Sequence, residues 1–216
     1  MIVEFPFGNP SLDSQPGLIC YLELNRPSGL ALHHDGATTD VVVHGAVGNG
    51  NVYAAAAAGA VGLELDLGAI DIAAGLAAHE PPKGRLRLMA GYRDTTILDD
   101  TYNAMPEATR LAVDTLAGFP LEGAGRRFAV LGDMLELGQL AAAEHASIGR
   151  LVAEREIDRL LLLGDLSRHL MEAAVGAGMR ADAVSHHDDH EEIVTTLRNE
   201  MRAGDLILVK GSQGMR

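Results

Sequence analysis

The sequence predicts an α/β protein whose larger part is a mostly parallel sheet covered by helices, preceded by a small antiparallel sheet with helices. Three observations carry this. After residue 84, short apolar runs alternate with segments of helical spacing, the pattern of parallel strands joined by crossover helices. Before residue 45, two apolar runs flank His33-His34-Asp35-Gly36, and Asp-Gly between such runs is a hairpin signal. Between the parts lies His79-Glu80-Pro81-Pro82-Lys83-Gly84, whose prolines and glycine mark a boundary. The predicted domains are therefore residues 1–83 and 84–216.

Residues 1–19 contain Pro6, Pro10 and Pro16 and read as irregular or edge structure. Strands are expected at Ile19–Leu24, Leu30–Leu32 and Val41–Val43. Gly45–Asn51 is a glycine-rich turn before Val52–Val61, which is almost all alanine, the strongest helix former. A second helix, about Gly68–Ala78, takes Asp66 as its N-cap. In the second domain, strands are expected at Leu86–Ala90 and Thr95–Leu98, around a turn at Gly91–Asp94. The helix Pro106–Phe119 opens with proline, well suited to a first turn. Then follow strand Phe128–Leu131, helix Ala141–Arg155, strand Leu160–Leu163 and helix Ser167–Ala174. Strand Ala181–Val184, helix Asp188–Met201 and strand Leu206–Val209 complete the pattern. The last strand has no covering helix after it, so the chain is expected to be a fragment, truncated at its end.

Chemistry is expected where strands stop at polar loops. The apolar run Thr95–Leu98 ends in Asp99-Asp100-Thr101-Tyr102-Asn103. These acids either accept hydrogen bonds from ribose hydroxyls or a ligand amine, or cap the next helix together with Thr101 or Asn103. Phe128–Leu131 ends in Gly132-Asp133. Asp133 and Glu136 share one face if the chain makes a helical turn, and they suit a cation or an ammonium group; otherwise they are acids at a helix start. Lys210-Gly211-Ser212 follows the last strand and suits a carboxylate or phosphate, or is a polar exit loop. Gly48-Asn49-Gly50-Asn51 fits a loose dinucleotide fingerprint, and so an NAD-dependent oxidoreductase, or is a turn docking an alanine helix. His186-His187-Asp188-Asp189-His190 contains metal-ligand types but reads as a solvated helix start. His145 reads as a surface or core histidine, and Cys20 as packing.

Composition narrows the classes. The net charge is −13, and of 17 cationic residues only Lys83 and Lys210 are lysines, which argues against nucleic acid or an anionic membrane as partner. A single cysteine excludes an intrachain disulfide and fits a reducing compartment. No apolar run approaches the roughly 18 residues of a membrane span. No G-x-x-x-x-G-K-[ST] surrounds either lysine, so no phosphate-cradling P-loop is present.

These pieces, in this order, resemble the Mur ligase family. The matching residues are Gly48-Asn49-Gly50-Asn51 with the alanine helix, Gly84-Arg85, Asp99–Ala104, Val130–Gly138, His145 with Gly149, and Leu208–Ser212. The D-D-[ST]-Y-N and G-D-M-x-E-L-G pair is most similar to the branch that adds D-Ala-D-Ala. The resemblance implies that residues 1–83 are the end of a central ATPase domain and residues 84–216 a Rossmann-like C-terminal domain. It implies an ATP- and Mg2+-dependent amide ligase, cytoplasmic and monomeric, that joins D-Ala-D-Ala to UDP-MurNAc-tripeptide in peptidoglycan synthesis. It places Asn51 near the adenine, Arg85 at the ATP phosphates and Asp100 at the ribose, with Tyr102 and Asn103 also on the ATP side. It assigns Asp133, Glu136, Lys210 and Ser212 to the dipeptide pocket. The family's P-loop, magnesium ligands and carbamylated lysine belong upstream, so this chain alone is expected to be inactive. Gly50 stands where the family usually has histidine, and Met105 where it has asparagine. A non-catalytic binding module, or a ligase adding another amino acid, are the alternatives.

Overall fold

The computed structural model describes residues 21–22, 29–34, 37–45, 47–121 and 123–215. One compact unit ends at Pro81 and a second begins at Pro82.

The first unit holds strands β1 (Tyr21–Leu22), β2 (Gly29–His34) and β3 (Ala37–Val42), then helices α1 (Asn49–Glu64) and α2 (Ala69–Ala77). The strands pair antiparallel in the order β1-β2-β3. The Asp35-Gly36 turn, Cys20 and the irregular stretch at residues 1–19 lie outside the described residues. Leu32, Val41 and Val43 pack against Val52, Ala55 and Ala56 of α1 and Ile72 of α2. Helix α1 runs three residues beyond the expected Val52–Val61 at each end, taking in Asn49–Asn51 and Gly62–Glu64. Asp66 does not cap α2: it has a positive φ of 60° in the turn between the helices, and Gly68 stands at the N-cap position. The Gly48–Asn51 turn joins an antiparallel hairpin arm to α1, so the parallel βαβ setting of a dinucleotide fingerprint does not occur among the described residues of this unit.

The second unit alternates throughout. Its strands are β4 (Arg87–Ala90), β5 (Thr96–Asp99), β6 (Arg127–Gly132), β7 (Arg159–Leu163), β8 (Val184–His187) and β9 (Leu206–Lys210). Its helices are α3 (Pro106–Gly118), α4 (Ala141–Glu154), α5 (Ser167–Gly176) and α6 (His190–Glu200). The sheet order is β4-β5-β9-β6-β7-β8. Only the edge strand β4 is antiparallel to its neighbour; the other pairings are parallel. The crossovers through α3, α4 and α5 step one way along the sheet, and the one through α6 steps back. Right-handed connections therefore put α3–α5 on one face and α6 on the other. Ile193 of α6 accordingly packs on Phe128, Val130, Leu161, Leu163 and Ile207.

The expected strand at Ala181–Val184 is displaced. Residues Ala181–Ala183 form a short 3-10 turn, and β8 begins at Val184, in register with Leu160. The strand thus consumes His186 and His187, and α6 starts only at His190, where the Asp189 carboxylate accepts from the Glu192 amide at 2.9 Å.

Asp205 fixes the start of β9. It is fully buried and accepts from the Arg126 amide at 2.9 Å, the Arg126 Nη2 at 2.7 Å and the Arg202 amide at 3.0 Å. Burial pushes its carboxyl upward, but the Arg126 side chain and the two amides outweigh this and hold it below the usual range. Its stabilisation is therefore complete above the unfolded pKa of about 3.9 and is lost as pH falls through the lower folded value. Asp205→Asn is expected to destabilise at pH 7 and to flatten this acid limb, as read by urea unfolding across pH 2–7. Helices α4 and α5 meet at Gly149, where a Cβ would strike the Leu170 carbonyl oxygen and lie 3.0 Å from the Ala174 amide nitrogen. Gly149→Ala is expected to cost about 1–3 kcal/mol by overpacking, measured in the same unfolding assay at pH 7.

Candidate functional site

Because β5, β9, β6 and β7 are parallel, their carboxyl ends lie at one edge of the sheet, and the loops that follow them meet there. Asp100, Asp133, Lys210 and Ser212 are all buried at this edge.

The centre is an ion pair. Lys210, 3% exposed, donates from Nζ to Asp100 Oδ2 at 2.5 Å and to the Asn103 carbonyl at 2.8 Å. Asp100 Oδ1 accepts from the Leu86 amide at 3.1 Å. The acid expected at the ribose and the lysine expected in the dipeptide pocket are thus one another's partners, and both carboxylate oxygens are already engaged.

Asp99 faces the other way. Its Oδ2 accepts from the Gly84 amide at 2.8 Å and its Oδ1 from Thr101 Oγ1 at 2.7 Å. Neither acid caps α3. Met105 occupies the N-cap position with no side-chain hydrogen bond, and Asn103 Oδ1 accepts from Ala104 N at 2.9 Å. The Tyr102 and Asn103 side chains are exposed. The exposed Arg85 stacks over the Tyr102 ring, its guanidinium carbon 4.1 Å from the centroid. Asn51 belongs to the first unit, where its Nδ2 donates to the Val47 carbonyl at 2.7 Å.

Ser212 ties the next loops together. Its amide donates to the Asp133 carbonyl at 3.1 Å, and its Oγ accepts from Leu135 N at 2.9 Å and donates to the Ala104 carbonyl at 3.4 Å. The Asp133 carboxylate accepts from the Ser167 amide at 2.8 Å and the Leu166 amide at 3.3 Å. It therefore serves the free donors at the start of α5. Residues 133–137 are not helical, and Glu136 is exposed with a positive φ of 66°. Asp133 and Glu136 consequently do not share a helical face: the chain is pulled straight by Asp133 reaching α5 and by the Met134 amide donating to His145 Nε2 at 2.9 Å. His145 is fully buried, with Nδ1 2.7 Å from the Ala141 carbonyl. That leaves Nδ1 as donor and Nε2 as acceptor, so the imidazole is neutral here and holds the loop. Nothing in the spacing announces this partnership.

The histidine run is a solvated helix start only from Asp188 on: Asp188, Asp189 and His190 are exposed at the start of α6, while His186 and His187 belong to β8. His186 Nε2 contacts the Gly164 carbonyl at 2.9 Å and His187 Nε2 contacts Ser185 Oγ at 2.8 Å, both rings half-buried at the end of β8. Among the described residues no group of three or more metal-ligating side chains gathers. Beside the strand ends, on the α6 face, lies a cavity of about 360 Å³ whose lining includes Val130, Leu163, Ile193, Leu197, Val209 and Met215, bordered by Lys210 and Ser212.

A six-stranded, mostly parallel sheet with its buried polar groups gathered at the strand ends defines a Rossmann-like α/β domain that works at that edge. Residues 84–213 match the family model described as Mur ligase, glutamate ligase domain, and the chain belongs to the Mur ligase family. It is 34% identical over 170 residues to the UDP-N-acetylmuramoyl-tripeptide–D-alanyl-D-alanine ligase of Bacillus subtilis, covering 79% of this chain and 36% of that one. The counterpart in Mycobacterium tuberculosis is 35% identical over 220 residues, covering 93% and 42%. A crystal structure of MurF from Acinetobacter baumannii superposes with a TM-score of 0.75 at 28% identity, over 90% of this chain and 42% of that one. The MurF ligase of Thermotoga maritima in complex with ADP shares the fold, with a TM-score of 0.74 at 24% identity over 94% and 44%. The chain spans about two-fifths of the length of these relatives.

Asp100→Ala leaves the Lys210 ammonium buried without its counter-ion and is expected to cost about 3–5 kcal/mol. Asp100→Leu combined with Lys210→Met, which removes both charges, is expected to cost clearly less. Equal urea midpoints for the single and double variants would show that the two groups are not coupled.

Proposed function

We propose that this chain is the C-terminal part of an ATP-dependent ligase that joins D-Ala-D-Ala to UDP-MurNAc-tripeptide. The observation that carries the reading is the meeting, at adjoining strand ends, of the two segments most similar to that branch, Asp99–Asn103 and Asp133–Gly138, with Lys210–Ser212 at the strand end between them. The percentages of identity to D-Ala-D-Ala ligases support the same branch.

To the ATP side we assign Arg85, the Asp99-Asp100 turn, Tyr102 and Asn103 of the second unit. Arg85 suits a phosphate chain: it is exposed, planar and always charged. Tyr102 and Asn103 offer an exposed ring and amide. The ADP-bound ligase of the same fold supports adenine nucleotide as the ligand. On the dipeptide side stand Asp133, Glu136, Lys210 and Ser212. Glu136, with its exposed carboxylate, suits the ammonium of the incoming dipeptide, while Asp133, Lys210 and Ser212 shape the pocket by holding its loops together. The described residues do not fit a magnesium site, since no group of three or more metal-ligating side chains gathers among them.

In the whole enzyme, the tripeptide carboxylate attacks the γ-phosphorus of ATP and ADP leaves. The dipeptide amine then attacks the acyl carbon, phosphate leaves and the amine loses a proton. Arginine and amide donors stabilise the charge spread over the transferring group. The proposed setting is the cytoplasm and the proposed working form a monomer. No helix among the described residues is long and apolar enough to cross a membrane.

The test replaces the matching segment of the Bacillus subtilis ligase with residues 84–213 of this chain. Phosphate release is expected to require both UDP-MurNAc-tripeptide and D-Ala-D-Ala, and the 216-residue chain alone is expected to release none. A folded hybrid without turnover, or turnover by the chain alone, would overturn the reading.

A further inference from the structure

We propose that His145 is a positioning residue for the amine of the incoming dipeptide: through the Met134 amide it fixes where the Glu136 carboxylate stands. The proposal deepens the dipeptide reading of this loop and rests on it.

The three residues before Glu136 are each held by a different element. The Asp133 carboxylate accepts from the Leu166 and Ser167 amides where α5 begins. Met134 N donates to His145 Nε2 of α4 at 2.9 Å, and Leu135 N to Ser212 Oγ, beyond β9, at 2.9 Å. The chain then enters the left-handed region at Glu136, with φ of 66°. For a glutamate that conformation is unfavourable and persists only where the surroundings impose it. The clamp thus ends on one exposed carboxylate, which among the described residues has no cation or hydrogen-bond donor of its own. A carboxylate placed by strained backbone and left unpaired is arranged for a cation that arrives from outside, and holding it beforehand lowers the ordering cost of binding.

Of the three anchors, His145 is the one whose chemistry has a single arrangement. The ring is fully buried, and its Nδ1 lies 2.7 Å from the Ala141 carbonyl one turn earlier on α4, an oxygen that only accepts. The proton is therefore on Nδ1, and the lone pair of Nε2 is aimed at Met134 N. Met134 is 1% exposed, so its amide depends on the ring for an acceptor. Four residues on, Gly149 lies on the same face of α4 and lets α5 approach, since a Cβ there would strike the Leu170 carbonyl. The loop is thereby strung between two helices in fixed contact, with His145 on one and the Ser167 amide on the other.

The test uses His145→Asn and His145→Gln. Asparagine places its amide nitrogen where Nδ1 stands and keeps the bond to Ala141, but leaves Met134 N without an acceptor. Glutamine reaches the Nε2 position with its amide oxygen and restores one. Urea midpoints and the amide signals of β6 and β7 in the 15N-labelled 216-residue chain check the fold. In that chain the Met134 amide signal is expected to move upfield in His145→Asn, with Glu136 following, and to return in His145→Gln. In the hybrid with the Bacillus subtilis ligase, His145→Asn is expected to raise KM for D-Ala-D-Ala about five- to tenfold, with kcat and KM for ATP held. His145→Gln is expected to recover most of that loss, and in a Glu136→Gln background His145→Asn should add nothing further. Parallel losses in kcat and both KM values would reduce His145 to a structural residue and overturn the proposal. So would an unchanged dipeptide KM in His145→Asn once its Met134 signal has moved, or a raised one in His145→Gln with that signal restored. A wild-type hybrid without turnover removes the ligase reading alone. The positioning then stands if D-Ala-D-Ala added to the 216-residue chain shifts the Glu136 signal in the wild type and less in the variant His145→Asn, and is overturned if it does not.

Discussion

The buried pair between Asp100 and Lys210 is the constraint on which the polar edge of the sheet depends. Two charges taken out of water are costly, and their attraction compensates only if geometry is good and the remaining polar atoms find partners. Both conditions are met here, because Leu86 N supplies the second oxygen of the acid and the Asn103 carbonyl takes a second ammonium hydrogen. The pair therefore joins four places at once: the entry to β4, the end of β5, the loop before α3 and the end of β9. Parallel strands have no hairpin turn to fix their ends relative to one another. A side-chain link across β5 and β9 does that work at the level where the loops diverge.

A second set of links extends the same edge toward β6 and β7. Ser212 connects the exit of β9 to the loop after β6, and Asp133 connects that loop to the first turn of α5. His145, from α4, holds the same loop from below. None of these groups is free to reach far. Their contribution to a ligand pocket is to give it fixed walls, so that the exposed groups (Arg85, Tyr102, Asn103 and Glu136) project from a rigid base.

Much of this was legible in the sequence, for local reasons. The apolar runs of β6, β7 and β9 are short and continuous, as strands covered on both faces must be, and Pro106 marks the first turn of α3. Motif order placed the Asp99–Asn103, Asp133 and Lys210–Ser212 loops at strand ends. The partners within those loops were not legible. Asp100 and Lys210 are 110 residues apart, and Asp133 and Ser167 34 apart; nothing in local spacing pairs them. The reading of Asp133 and Glu136 as one helical face failed because a distant helix start competed for Asp133. The histidine run was misplaced because β8 begins three residues later than Ala181 and draws His186 and His187 into the sheet. Asp66 has a good capping side chain, but the turn between α1 and α2 puts it ahead of the helix start.

The position of β9 has a consequence for how the chain is made. Of the described strands it is the last to leave the ribosome, yet it lies between β5 and β6, with β6 in turn carrying β7 and β8. Until it arrives, β5 and β6 each present an unpaired strand edge, and the Asp100 carboxylate has no cation to meet. Folding of this sheet is thus a closing event by long-range pairing, slow by nature and exposed to misassembly while it waits. The same insertion that joins β5 to β6 delivers Lys210 to Asp100, so the polar edge is assembled only when β9 enters the sheet.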